Sequence, residues 1–174
     1  ALEFTYVDSG HFLLKKPKKM FKRLLFLMAA LLCMVACPGF AVTLIYDDDG
    51  LVTNGITDGT SAGWNTSAAV FYNGAGDAAW TNATTDIAQF GGGSSGTAGT
   101  LTVGTVSTNG ITFEAPFAGS YTLTGVSICW GWTSPSLTAD ANGAIATLLT
   151  GSAGFTKAGA RTLVLTGNNS GVTG

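Results

Sequence analysis

From Val42 onward the apolar residues fall into short runs bounded by Gly, Asn, Ser and Asp. The runs are Ser67–Tyr72, Asp86–Phe90, Thr100–Val106, Gly110–Phe113, Ser120–Val126, Ala144–Thr150 and Arg161–Thr166. Within several of them apolar positions alternate: Leu101 with Val103, Ile111 with Phe113, Leu163 with Leu165. Alternation with a period of two predicts strands with one buried face and one wet face. The intervening positions are mostly Thr and Ser, which suit a strand and tolerate water. No long run of helix-forming residues interrupts this pattern, so the chain reads as all-β.

A phrase recurs along these strands. Gly99-Thr100-Leu101-Thr102-Val103-Gly104 is echoed by Tyr121-Thr122-Leu123-Thr124-Gly125, by Ala146-Thr147-Leu148-Leu149-Thr150-Gly151 and by Arg161-Thr162-Leu163-Val164-Leu165-Thr166-Gly167. Leu123 follows Leu101 at one step, and Leu163 lies nearly two such steps further on. Leu148 falls out of phase. A step of roughly 20 residues suits one coil of a parallel β-helix, each coil stacking on the one before. Turn signals about every 8–12 residues would also suit an antiparallel β-sandwich, which stands as the alternative.

The N-terminal part differs in character. Met20-Phe21-Lys22-Arg23 is followed by the apolar stretch Leu24 to Val35 and by Cys37-Pro38-Gly39-Phe40-Ala41. Such a stretch would span about 18 Å as a helix, short of the ~30 Å hydrocarbon core of a membrane. Residues 20–41 therefore read as a signal peptide, with Gly39 and Ala41 as the small residues before a cut. A lipoprotein-type cut at Cys37 is the rival. Residues 1–19 show no period and read as sequence upstream of the product, outside the fold.

Removing this leader changes the charge. The whole chain has 8 basic and 10 acidic residues, but only Lys157 and Arg161 lie beyond Ala41, against eight acids. The product 42–174 would carry 2 − 8 = −6, so no basic patch remains for nucleic acid. His11, the single histidine, precedes it, and Cys129 alone among the cysteines follows. Histidine catalysis and an internal disulfide framework are thereby excluded from that product. No cofactor is expected.

The stretch Gly151-Ser152-Ala153-Gly154-Phe155-Thr156-Lys157-Ala158-Gly159-Ala160-Arg161-Thr162-Leu163-Val164-Leu165-Thr166-Gly167-Asn168-Asn169-Ser170 resembles the autotransporter-associated β-strand repeat, also called the passenger-associated transport repeat. Upstream, Asp47-Asp48-Asp49-Gly50, Trp64-Asn65, Trp80, Ala88-Gln89-Phe90-Gly91 and Gly110-Ile111-Thr112-Phe113 are similar to the leader region of large secreted proteins that carry such repeats. Arg161 replaces the usual Gly and Phe155 the usual Leu. After Ser170 the family pattern gives way to Gly171-Val172-Thr173-Gly174. The resemblance implies a right-handed parallel β-helix serving as a rigid extracellular stalk. It also implies that Gly154, Gly159 and Gly167 turn corners, that Leu163 and Leu165 fill the core, and that Thr162 and Thr166 face water, with Thr156 a further residue of the repeat motif. Lys157 is then a solvated corner, and Asn168 and Asn169 form a turn whose amides can ladder between coils.

Other residues invite chemistry, each beside a plainer reading. Asp47-Asp48-Asp49-Gly50, with Asp58-Gly59, has the carboxylates and turn of a calcium loop, but equally of an acidic surface turn. Asp86, Glu114 and Asp140 recur at intervals near one coil, as stacked acids of a polysaccharide-cleaving β-helix would, yet nothing gathers them into one cleft. Trp64, Trp80, Trp130 and Trp132 have the flat rings needed to stack on sugars. As core and end-cap residues they need no ligand. Cys129 beside Trp130 reads as a buried thiol, and Gly91–Gly96 as a surface loop or corner insertion.

The expectation is a secreted, non-enzymatic β-helical segment with a structural or adhesive role at the cell surface. The rivals are a carbohydrate-binding sandwich using the tryptophans and a catalytic β-helix. The expected partners are a second copy joined through the open edge of the last coil, and surface glycans. Membrane contact is expected only through export or a C-terminal anchor beyond this chain.

Overall fold

The computed structural model describes residues 41–131 and 134–173, and the backbone of the short strands β1 (Phe4–Thr5) and β2 (Leu13–Leu14). The chain divides into two units, 1–39 and 40–174. In the first, β1 and β2 pair antiparallel. The proposed signal segment 20–41 lies almost wholly outside the described residues.

The second unit is a stack of parallel coils, with no helix among the described residues. One sheet contains β3 (Thr43–Tyr46), β7 (Ile87–Phe90), β10 (Gly110–Phe113), β12 (Ser136–Ala139) and β15 (Thr156–Ala158), all parallel and paired in that order. The other contains β9 (Ala98–Thr108) and β11 (Gly119–Trp130). Above β11 the long strand is split, into β13 (Gly143–Ile145) with β14 (Leu148–Gly151), then β16 (Leu163–Leu165) with β17 (Gly171–Val172). A narrow corner sheet pairs β4 (Thr57–Asp58) with β8 (Ser95–Gly96), again parallel. This is a β-solenoid. Adjacent runs head the same way, and the sandwich alternative is set aside.

The coil period is legible in the register. Ile87, Gly110, Ser136 and Thr156 stack directly, one from each successive coil, and their numbers show that the coils differ in length. Leu101 does stack under Leu123, and the same column continues to Ile145 and Leu165. Leu163, spaced as the second repeat of Leu123, instead sits over Gly143. Leu148 is out of phase because its strand belongs to a second column. Leu149 stacks on Ile128 and is buried, while Leu148 stacks on Ser127 and faces water. The local phrase cannot distinguish two columns of one long strand, since both need the same alternation.

The inward columns are apolar, and each buried Leu or Ile contributes about 1.5–3 kcal/mol. Ala88, Ile111 and Leu137 form one column; Phe90, Phe113 and Ala139 form the next. Outward columns repeat threonine, with Thr100 on Thr122, Thr102 on Thr124 and Thr112 on Thr138.

The first coil ends differently. Before β7 the chain leaves the coil path to form an antiparallel hairpin, β5 (Ala69–Tyr72) with β6 (Asp77–Ala79), which pairs with the free edge of β3. Asn73-Gly74 is the turn: the Asn73 side-chain oxygen accepts from the backbone N–H of Ala75 and Gly76, and Gly74 has φ +93°. The hairpin lies over an aromatic cluster of Tyr46, Trp64, Phe71, Trp80 and Phe90, with ring centroids 4.9–6.3 Å apart. It therefore covers a strand edge that otherwise invites pairing with another chain.

Candidate functional site

The acidic run Asp47–Asp49 follows β3, where the chain turns away from the sheet. Asp48 is saturated by protein donors. Its oxygens accept from the Tyr46 hydroxyl (2.6 Å), the Ser61 N–H and hydroxyl (2.7 and 2.6 Å) and the Ala62 N–H (3.2 Å). Burial opposes its ionisation, but the hydrogen bonds from Ser61 and Tyr46 outweigh it and hold the carboxyl below its ordinary range. Asp49 accepts from Asn54 Nδ2, the Leu51 N–H and the Thr57 hydroxyl, and the Asn54 bond leads in lowering it. Asp47 is the exception. It is wholly buried, accepts the Thr57 N–H at 3.0 Å through Oδ1, and leaves Oδ2 without a partner. Burial raises it to about 6, with Asp77 and Asp49 adding like charge. The run is thus mainly a hydrogen-bond hub that folds residues 48–62 over the first coil. Among the described residues no three metal-type ligands converge.

Asp58 ties three coils together. It stands in β4 of the first coil, buried, and its oxygens accept the Phe117 N–H (2.7 Å) and the Tyr121 hydroxyl (3.2 Å) of the third. The Tyr121 hydroxyl in turn accepts the Gly59 N–H at 3.0 Å, and burial raises its pKa. The second coil passes between them at Gly93 and Gly96. A Cβ at Gly93 would lie 2.5 Å from Asp58 Oδ2, and one at Gly96, at φ +85°, would collide with the Asp58 carbonyl. The Gly91–Gly96 segment is therefore a packed corner. Its backbone bonds to Ile56 through Ser94 N–H and to Ala115 through Gly92 N–H.

The aromatic candidates are not presented to a ligand. Trp64, Trp80 and Trp130 are 0, 1 and 3 % exposed. Trp64 and Trp80 meet edge to face at 5.2 Å beneath the capping hairpin, and Trp80 Nε1 donates to the Ser107 carbonyl. Trp130 packs on Phe155 at 5.5 Å. Sugar stacking by these three is corrected: the inward alternation of β11 and the cap over the first coil bury their faces. Trp132 lies outside the described residues. Cys129 is corrected too. It is exposed, because Ile128 and Trp130 take the inward positions on either side.

The motif residues 154–169 build the last coil. Gly154 lies in the connection from β14 to β15. Gly159 has φ +75° against the backbone of Ala139, and Gly167 packs where a Cβ would strike the Thr147 carbonyl. Thr156, Thr162 and Thr166 are exposed. Leu163 and Leu165 pack against the core but remain half-buried, because no described coil covers them. Asn168 makes a local turn, its side-chain oxygen accepting from the Ser170 N–H and hydroxyl rather than laddering to the coil below. Asn169 has a buried side-chain oxygen without a partner. Lys157 holds more than a corner. It stacks on Leu137, in the column that Ala88 and Ile111 begin, and its ammonium donates to the Ala158 and Gly159 carbonyls. Its side chain is exposed, as a solvated corner would be.

The three spaced acids are separated. Glu114 and Asp140 leave β10 and β12 at the same corner, their N–H groups bonding to the Phe90 and Phe113 carbonyls. Asp86 enters β7 at the opposite end of that sheet. Sequence reasoning missed Tyr121, Asp77 and the hairpin. Only the hairpin had a local signal, Asn73-Gly74 between β-prone runs.

No family model matches the chain, and no solved structure matches it. The chain is similar to the adhesin BmaC autotransporter of Brucella suis biovar 1 (strain 1330), at 41% identity over 119 residues covering 64% of this chain. The chain spans 3% of that relative's length. The resemblance to autotransporter-associated repeat proteins is thus joined by similarity to an autotransporter adhesin and by a β-solenoid fold.

Proposed function

We propose that this chain is a secreted, non-enzymatic segment of an adhesive surface protein, acting as a stiff stalk or display scaffold. The observation that carries the reading is the pairing of a parallel solenoid with an adhesin autotransporter relative. Stiffness follows from continuous columns: each coil hydrogen-bonds to its neighbours through two sheets around a dry apolar interior. The outward columns of Thr, Ser, Ala and Gln supply solubility. The aromatic rings support the fold from inside, which favours a scaffold over a sugar-binding platform.

The test is surface display. The chain carries an epitope tag at its N-terminus after the proposed cut, and is fused at Gly174 to an outer-membrane β-barrel carrier. The tag is expected to be reached by antibody on intact cells, and the solenoid to resist added protease. A hidden tag or rapid degradation would refute the stalk. A saturable hit on a glycan array would favour the carbohydrate-binding alternative. N-terminal sequencing of the exported product is expected to begin at Val42.

A further inference from the structure

The turn of the capping hairpin holds an amide poised to react with its own backbone. Asn-Gly occurs at 54–55, 73–74, 109–110 and 142–143. In such a pair the glycine nitrogen can close a five-membered ring on the asparagine Cγ, since no side chain on the glycine crowds the approach. Negative charge then develops on Oδ1, so donors already aimed at that oxygen favour the step. At Asn73 two backbone N–H groups stand there, from Ala75 at 2.9 Å and from Gly76 at 3.0 Å. Both distances suit an oxyanion hole. Asn73 and Gly74 are exposed, and a Cβ at Gly74 would meet nothing within 4 Å. The Gly74 N–H donates to no acceptor among the described residues.

The other three pairs lack this combination. Asn54 is exposed, but its Nδ2 donates to the Asp49 carboxylate at 2.6 Å, which pushes electron density into the amide and makes Cγ a poorer target. Asn109 Oδ1 is buried without a partner, and the Gly110 N–H is spent on the Thr108 hydroxyl at 3.2 Å. Asn142 Oδ1 accepts one N–H, from Thr162 at 3.1 Å, while the buried Gly143 donates its own N–H to the Thr162 carbonyl. A glycine nitrogen fixed in this way is held back from swinging towards Cγ.

We infer that Asn73 is a self-modifying site, at which the Gly74 nitrogen displaces ammonia from the Asn73 side-chain amide and loosens the hairpin cap. Hydroxide takes the Gly74 N–H proton, and the new N–Cγ bond replaces the Cγ–Nδ2 bond. Nδ2 takes a proton from water and leaves as ammonia. Water then opens the succinimide at either ring carbonyl, giving aspartate or isoaspartate. In isoaspartate the main chain runs through Cβ and Cγ, so the turn between Tyr72 and Asp77, a cross-strand pair, grows by one atom. The Asn73 N–H donates to the Gly76 carbonyl at 3.1 Å, a bond that the longer turn disrupts. Either product adds a carboxylate to the hairpin that carries Asp77, and residues 42–156 include no Lys, Arg or His to balance it. The element that covers the β3 edge is therefore the one that ageing weakens.

The full chain is held folded at pH 8 and 37 °C, and samples taken over time are unfolded, digested with chymotrypsin and mapped by mass. Cleavage after Tyr72 and Trp80 isolates residues 73–80, where Asn73 is the single side-chain amide. Its amide-to-acid conversion is expected to run about tenfold or more ahead of that at Asn54, Asn109 and Asn142. In urea all four are expected to convert at similar rates, because the dipeptide is the same. Converted chain, enriched by anion exchange, is expected to melt a few degrees below both the unmodified chain and Asn73→Asp, which adds the charge without lengthening the turn. Conversion at another pair as fast as at Asn73 in the folded chain, an Asn73 that stays intact, or the same ranking in urea would overturn the site. A Tm unchanged by conversion would overturn the loosening of the cap.

Discussion

Replacing Asp58 by alanine tests whether this solenoid is held across its coils by a side chain as well as by its ladders. The carboxylate accepts two bonds from the third coil, at 2.7 Å from the Phe117 N–H and 3.2 Å from the Tyr121 hydroxyl. Bonds to a charged group contribute about 1.5–3 kcal/mol each, and leaving their buried partners unmatched costs a similar amount. Phe117 lies near the surface and can recruit water, which lowers its share. The expected loss for Asp58→Ala is about 3 kcal/mol, a fall in Tm of about 6–12 °C for a domain of this size. Asp58→Asn keeps an acceptor for Phe117 but turns an amide towards Tyr121, so about half that loss is expected. Urea unfolding read by tryptophan emission is a suitable assay, because Trp64 and Trp80 lie in the same end of the stack. A double-mutant cycle with Tyr121→Phe is expected to show coupling of about 1 kcal/mol or more. If Asp58→Ala costs less than about 1 kcal/mol, or no more than Asp86→Ala, the idea of a latch spanning three coils fails.

Three further outcomes follow from the same geometry. Leu123→Ala, in the middle of a fully buried column, is expected to cost about 2–5 kcal/mol, whereas Leu163→Ala in the half-covered last coil is expected to cost less than about 1.5 kcal/mol; equal losses in urea unfolding would contradict the placement. Stability is expected to fall as pH rises from about 4 towards and through about 6. Asp47 is raised from 3.8 in the folded chain, so its contribution is full below that unfolded value and is lost as the folded group ionises; Asp47→Asn is expected to flatten this slope in pH-dependent melts. Trp132→Phe leaves the three buried indoles alone, and its emission is expected to resist acrylamide; strong quenching would show that the rings are accessible.

The fold was largely legible because its grammar is local. Alternation in Thr100–Val106 and Gly110–Phe113 reports which side chains point inward, and the step from Leu101 to Leu123 is a true stacking interval. The same grammar misplaced Leu163, which matches Leu123 in phrase but stacks on Gly143. It also misread Cys129, which is exposed because both neighbours, Ile128 and Trp130, point inward. The candidate site was less legible. Asp47 and Asp49 could be picked out as a cluster, but Asp77 stands alone in the sequence. Tyr121 and Asp58, 63 residues apart, meet only because the coils stack, with one coil passing between them.

Residue order alone settles that this chain makes short strands with one apolar edge and stacks them at a regular step, since side-chain direction in a strand depends only on its neighbours. The assembled coils decide the rest. They choose which apolar phrase lies over which, stack a lysine on the column that Leu137 continues, and bury tryptophans that look ready for sugar. They also bury Asp47, with the like charges of Asp77 and Asp49 nearby. Those outcomes depend on contacts between residues tens of positions apart, where burial and hydrogen-bond partners, not local periodicity, fix the cost of each arrangement.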